Sequence, residues 1–138
     1  MKKFKNFCRA LENLEMGAVQ ENYSLLEETG LIAMFEICFE QTWKVLNEIL
    51  EDEGYRESKT GSPRQILKLA YSAGILNDVE IWLEILNDRN ILSHIYDSEK
   101  AQLTVTKIKE KYLTEFKNLR KTLEENFIEG DEKFDAEN

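Results

Sequence analysis

The stretch TGLIAMFEICFEQTWKVLNEILEDE, residues 29–53, decides how the chain is read. Leu31, Ile32, Phe35, Cys38, Phe39, Thr42, Trp43, Leu46, Ile49 and Leu50 recur at steps of three and four. That is the spacing of one face of an α-helix, whereas a strand would alternate with a period of two. The stripe predicts a long helix from about Thr29 to Glu53, with one side in a core.

The same period continues on both sides. Phe4, Phe7, Cys8, Leu11, Leu14, Ala18 and Val19 predict a first helix from about Lys3 to Asn22. Gly54 to Gly61 reads as a polar loop. Ser62-Pro63-Arg64-Gln65 is a helix start, with Ser as N-cap, Pro in the first turn and Gln three residues after the cap. Its short helix carries Ile66, Leu67, Ala70 and Tyr71, and Gly74 suits the left-handed position after a helix end. Asn77-Asp78-Val79-Glu80 caps a fourth helix through Val79, Trp82, Leu83, Leu86 and Ile91, expected to end near His94 to Tyr96. Ala101, Val105, Ile108, Tyr112, Phe116, Leu119 and Leu123 stripe a last helix from about Ser98 to Phe127. No segment of length reads as a strand. The expected fold is an all-α, antiparallel up-and-down bundle of about five helices.

A chain of 138 residues with 42% hydrophobic side chains can bury one core, so residues 1–128 are expected to form a single domain. Net charge is -9, from 27 acids against 18 bases. Five of those acids and one Lys fall in residues 129–138, an acidic tail that loses the periodicity and is expected to be disordered. The acidic balance excludes a protein that coats nucleic acid through a general excess of Lys and Arg. No apolar run approaches the roughly 20 residues that cross a bilayer, and the start of the chain lacks a secretory apolar region. A soluble cytoplasmic protein without membrane contact is expected. Cys8 and Cys38 sit in apolar stripes away from any second Cys or His at ligand spacing, so they read as reduced core residues, with a disulfide as the lesser alternative and no zinc site.

The only histidine, His94, lies in Asp88-Arg89-Asn90-Ile91-Leu92-Ser93-His94-Ile95-Tyr96-Asp97. A lone His near a helix end commonly caps or hydrogen-bonds. Here Arg, His and Tyr gather within eight residues of a chain otherwise poor in Arg and His. On a continuous helix Arg89 and His94 would be rotated about 140° apart and would not converge, whereas a two-fold dimer could bring both pairs into one cleft. Glu36 and Glu40, one turn apart, resemble half a metal site but read as a solvated or salt-bridged face, with Lys44 placed to pair with Glu40. Trp43 and Trp82 read as core, with base stacking as the alternative. Arg56, Lys59, Arg64 and Lys68, with Glu57 as the only acid among them, give residues 56–68 a net charge of +3 and form the candidate phosphate-facing patch.

Arg89-x4-His94-Ile95-Tyr96 matches the R-x4-H-x-Y motif of HEPN proteins encoded beside minimal nucleotidyltransferases. Phe35-Glu36-Ile37-Cys38-Phe39-Glu40-Gln41-Thr42-Trp43-Lys44 resembles the F-E-x-x-F-E-x-x-W-K signature of nucleotidyltransferase substrate-binding proteins. Thr60 to Gln65 is similar to that family's loop-to-helix junction. The three motifs stand in the family's order, within a resemblance that spans about Phe4 to Phe127.

The resemblance implies a homodimeric bundle in complex with a separate nucleotidyltransferase, with nucleotide or RNA in the dimer cleft and no metal or cofactor of its own. It implies that related subunits in toxin–antitoxin pairs are metal-independent RNases, silenced when AMP is attached to the motif tyrosine. Arg89 and His94 would then be the RNase pair and Tyr96 the modification site; Asp88 and Asn90 receive no role. An imidazole, with an ordinary pKa of about 6.5, suits proton exchange with a ribose 2′-hydroxyl, and a guanidinium fork suits phosphoryl oxygens. AMP on Tyr96 would add bulk and negative charge beside His94. Three expectations follow: a substrate-binding partner subunit, an RNase acting through Arg89 and His94, or a structural helical dimer whose motif only caps helices.

Overall fold

The structure, a computed structural model, describes residues 1–128. The helices are α1 (Lys2–Gly17), α2 (Leu25–Asp52), α3 (Pro63–Ser72), α4 (Val79–Asp88), α5 (Ser98–Lys107) and α6 (Leu113–Asn126). Short 3₁₀ turns cover Arg56–Thr60 and Ile91–His94, and a π turn covers Ile108–Tyr112. Backbone angles stay right-handed helical through Lys107, Ile108, Tyr112 and Leu113, so α5, the π turn and α6 form one continuous rod. The described residues therefore contain five helical rods and no strand, as expected from the apolar period. The expected acidic tail at 129–138 lies outside the described residues.

The core forms around α2, which packs against α1, α3 and α5. Phe35 stacks on Tyr112 at 5.6 Å and meets Phe116 edge-on at 6.3 Å, and Trp82 meets Phe116 edge-on at 5.3 Å. Full burial of each such ring contributes about 1.5–3 kcal/mol. All seven stripe positions of the last rod, Ala101 to Leu123, are buried. Thr42, buried within the α2 stripe, donates its hydroxyl to the Cys38 carbonyl at 2.8 Å, so its polarity is satisfied. Trp43 departs from expectation: it is half-buried at the core edge, and its Nε1–H donates to Glu40 Oε2 at 3.0 Å. Cys8 and Cys38 are buried free thiols, and burial pushes Cys8 up to about 12 and Cys38 higher still.

Capping chemistry sets several helix bounds. Ser62 and Gln65 form the expected capping box of α3. After Ala73, Gly74 takes φ 81°, while its N–H donates to the Tyr71 carbonyl and that of Ile75 to the Ala70 carbonyl. This is the Schellman closure, which glycine enters without a Cβ penalty.

Three bounds differ from the sequence expectations. α1 stops at Gly17 rather than Asn22, and Val19 is exposed. A Cβ on Gly17 would stand 3.1 Å from Leu31 and 3.2 Å from Met34, so α1 and α2 approach through the missing side chain. Tyr23 then closes the connection by donating to the Gly17 carbonyl at 2.8 Å. α2 starts four residues earlier than Thr29, at a capping box between Ser24 and Glu27. α4 ends at Asp88, six residues before His94, and this break builds the site.

Candidate functional site in the break between α4 and α5

Asp78 opens α4 by accepting from the N–H groups of Glu80 and Ile81. At its other end the ladder fails. In a continued α-helix the Leu92 N–H would donate to the Asp88 carbonyl. It donates instead to Glu36 Oε2 of α2, at 2.9 Å across 56 residues of sequence. The chain tightens into 3₁₀ bonds, Ser93 N–H to the Asn90 carbonyl and Ile95 N–H to the Leu92 carbonyl, while the Ser93 hydroxyl also donates to the Asn90 carbonyl at 2.7 Å. Asp97 then accepts from the Lys100 N–H and starts α5. Buried Ile91, with half-buried Leu92 and Ile95, fastens this turn to the core.

Arg89, Asn90, Glu36 and Glu40 line one depression of about 350 Å³, whose apolar wall includes Ile37 and Leu92. Arg89 Nη1 lies 3.9 Å from Glu40 Oε1, and its guanidinium carbon sits 6.0 Å from the centre of the Phe39 ring. An ion pair this long and partly wet contributes at most about 1 kcal/mol. Burial holds the Glu36 carboxyl above the usual carboxylate range; the Leu92 N–H bond and Arg89 oppose the shift, and Glu40 adds to it.

His94 lines a second depression, about 460 Å³, with Asp88, Asn90, Leu103, Thr104 and Lys107. Asn90 belongs to both depressions, so Arg89 and His94 line adjacent hollows on one turn. His94 is exposed, and its Nδ1 lies 3.3 Å from the Tyr96 hydroxyl, which either accepts or donates according to the imidazole tautomer. Tyr96 is 81% exposed.

Behind the turn, Asp88 is clamped. Tyr112 donates its hydroxyl to Asp88 Oδ2 at 2.5 Å, and Lys107 Nζ reaches the same oxygen at 3.3 Å. Lys107 also pairs with Glu84 at 3.3 Å, and Lys111 with Glu84 at 2.8 Å. Burial and then the Asp88 bond hold the Tyr112 phenol far above its ordinary range. Burial works against the charge of Lys107, but Asp88 and Glu84 outweigh it and hold the ammonium above its usual value. The Lys111 bond holds Glu84 below the carboxylate range.

Residues 2–125 match the family described as nucleotidyltransferase substrate binding protein like. The chain belongs to this family. Over 90 residues it is 30% identical to the probable ribonuclease HepT of Haemophilus influenzae, in a match covering 62% of each chain, so it spans under two thirds of that relative. A crystal structure from Thermus thermophilus superposes with a TM-score of 0.77 at 28% identity, covering 85% of this chain and 98% of that one.

Within this member of the nucleotidyltransferase substrate-binding family, the four basic candidates stand apart from the motif. Arg56 and Lys59 lie on the first 3₁₀ turn, Arg64 and Lys68 on α3, and all four are exposed. Lys68 lines a hollow of about 450 Å³ with Glu57, Thr60, Gln65 and Leu69, which shares no lining residue with either motif depression. Glu36 and Glu40 do not act as a free acidic pair: one holds the Leu92 amide, and the other meets Arg89 and Trp43 rather than Lys44. Among the described residues no group of three or more His, Cys, Asp or Glu could hold a metal ion, and no helix is long and apolar enough to cross a membrane.

Sequence reasoning missed Glu36, Asp88, Lys107 and Tyr112 as residues that build the site. A signal existed for Tyr112, because a tyrosine inside an apolar stripe needs a partner for its hydroxyl. Glu36 was marked by the F-E-x-x-F-E-x-x-W-K resemblance and as part of a charged face, but nothing local marked its bond to the Leu92 amide.

Proposed function

We propose that the protein is the HEPN half of a HEPN–nucleotidyltransferase pair: a homodimeric partner subunit of a separate minimal nucleotidyltransferase that presents Tyr96 for AMP attachment. The observation that carries this reading is the exposed Tyr96 hydroxyl 3.3 Å from His94 Nδ1, on a turn between two helices of a family member. In the transfer, Tyr96 Oη bonds to the α-phosphorus of ATP, pyrophosphate leaves, and the phenol proton passes to a base that the His94 imidazole is placed to supply. Exposed Ile37 and Met34 on α2, with Ile37 in the wall beside Arg89, support a dimer that joins two motif turns. Arg56, Lys59, Arg64 and Lys68 are the residues available to meet phosphate groups.

Intact-mass measurement after incubation with the nucleotidyltransferase, ATP and Mg²⁺ tests the proposal. The expected result is addition of AMP to the wild type and none to Tyr96→Phe. An unmodified wild type, with a nucleotidyltransferase shown to be active on another acceptor, would overturn it.

A second reading, a metal-independent RNase acting through Arg89 and His94, is favoured by one observation: both side chains border hollows open to solvent on the same turn. RNA cleavage in EDTA is expected for the wild type and lost in His94→Ala. Because His94 is exposed, the same substitution should shift stability by no more than about 0.5 kcal/mol. Equal cleavage by both proteins removes His94 from the chemistry. A large fall in stability would return the motif to a purely capping role.

A further inference from the structure

We infer that Glu36 is the positioning residue of the motif turn: α4 tightens at Arg89, whose N–H turns to the Leu86 carbonyl, and by taking the Leu92 N–H Glu36 keeps the helix from resuming and fixes where Arg89 and His94 stand. The inference rests on the function proposed above and assigns a role to an α2 carboxylate that contacts neither Tyr96 nor His94.

Leu92 is three residues after Arg89 and two before His94, so a bond at its amide acts midway between the two. Without it, the acceptor that α-helical geometry offers that N–H is the Asp88 carbonyl, one turn back, and the helix would resume through the motif. Arg89 and His94 would then swing to positions about 140° apart around a helix axis. The Asp88 side is already fixed by Tyr112 and Lys107, so the Leu92 amide is where the turn's shape is chosen. Glu36 also feels the charge of Arg89, whose Nη1 lies 3.9 Å from Glu40 Oε1.

A residue placed for stability alone would not look like this. Burial raises the proton affinity of Glu36, so its ionised form is disfavoured where it stands. Local choices that work against stability concentrate at functional sites. What the carboxylate provides is a fixed acceptor on a long, rigid helix whose neighbours Phe35 and Phe39 are fully buried.

The full chain with Glu36→Ala and Glu36→Gln separates the possibilities. Gln keeps an acceptor of the same shape, whereas Ala removes it. Amide hydrogen exchange by NMR should show Leu92 exchanging about tenfold faster in Glu36→Ala, with Leu46 and Phe116 amides unchanged and Glu36→Gln close to wild type. In the cleavage and AMP-addition assays, Glu36→Ala should lose about tenfold in kcat with KM little changed, and Glu36→Gln should recover most of it. A merely structural role would instead lower melting temperature, accelerate core amides and leave kcat per folded molecule intact. Unchanged Leu92 exchange in Glu36→Ala overturns the inference, as does an equal kcat loss in both variants. A wild type that neither cleaves RNA nor accepts AMP defeats the function reading alone, because the Leu92 measurement needs neither activity.

Discussion

Replacing Tyr112 with Phe removes one oxygen from the place where the π turn meets the end of α4. The ring should stay, since its stack on Phe35, at 5.6 Å and 14° between planes, involves no hydroxyl. What is lost is the 2.5 Å bond to Asp88 Oδ2. A hydrogen bond to a charged group contributes about 1.5–3 kcal/mol net. Lys107 remains 3.3 Å from the same oxygen, and the Asp88 side chain keeps 15% exposure, so the loss should sit near the lower bound, about 1.5–2 kcal/mol. At roughly 4 °C per kcal/mol for a chain of this size, the melting temperature should fall by about 6–8 °C. The pH dependence gives a second signature. The folded state holds the phenol above its unfolded value of about 10, so the stabilisation is fully present below that pH and is lost as pH rises beyond it. Urea unfolding followed by circular dichroism should therefore show a gap between wild type and Tyr112→Phe that is constant at neutral pH and narrows above about pH 10. A gap under about 0.5 kcal/mol at pH 7, or one that widens in alkali, would refute the assignment of this bond.

Two further outcomes follow from the helix ends and the core. Gly74→Ala forces a Cβ onto a residue at φ 81° and should destabilise the chain by about 1–2 kcal/mol in the same urea assay, although the Cβ would meet no atom within 4 Å. Cys8 and Cys38, buried with raised pKa values, should resist an aromatic disulfide reagent in the native state and react only as fast as the chain opens; rapid native labelling of either would show that the core around α1 and α2 is looser than described.

What was legible in the sequence is what local chemistry determines. The Ser62–Gln65 capping box, the Gly74 closure and the seven buried positions of the last rod follow from residues within a few turns of one another. The early start of α2 was legible as well, since Ser24-Leu25-Leu26-Glu27 carries the capping-box spacing. It was hidden because Leu25 and Leu26 are exposed, leaving the apolar stripe to begin only at Leu31. The end of α4 was not legible. Arg89 to His94 contains neither Gly nor Pro, and its apolar residues continue the helical period. The helix tightens at Arg89 and does not resume where an acceptor 56 residues away takes the Leu92 amide, and no window along the chain contains both partners.

The same long-range geometry changes the meaning of the charge. Net -9 excludes bulk electrostatic binding of nucleic acid, and the sequence offered local compensation in the basic segment from Arg56 to Lys68 and in a cleft that a dimer could form from Arg89 and His94. Within one chain, the charged residues lining the Arg89 depression are Arg89, Glu36 and Glu40, one cation against two acids. Those lining the His94 depression are Asp88, Lys100 and Lys107, a single excess cation with one lysine engaged by Asp88 and Glu84. Acids are thus built into the turn to shape it, and they subtract from its attraction for phosphate. A polyanion that approaches His94 meets at most one excess cation in these hollows and has to draw further attraction from outside them, either from exposed Arg56, Lys59, Arg64 and Lys68 or from a second copy across a dimer. Positioning and attraction are therefore separable in this protein. Neutralising a carboxylate on α2 should strengthen attraction while loosening geometry, unless the replacement, as in Glu36→Gln, keeps the acceptor that Leu92 requires.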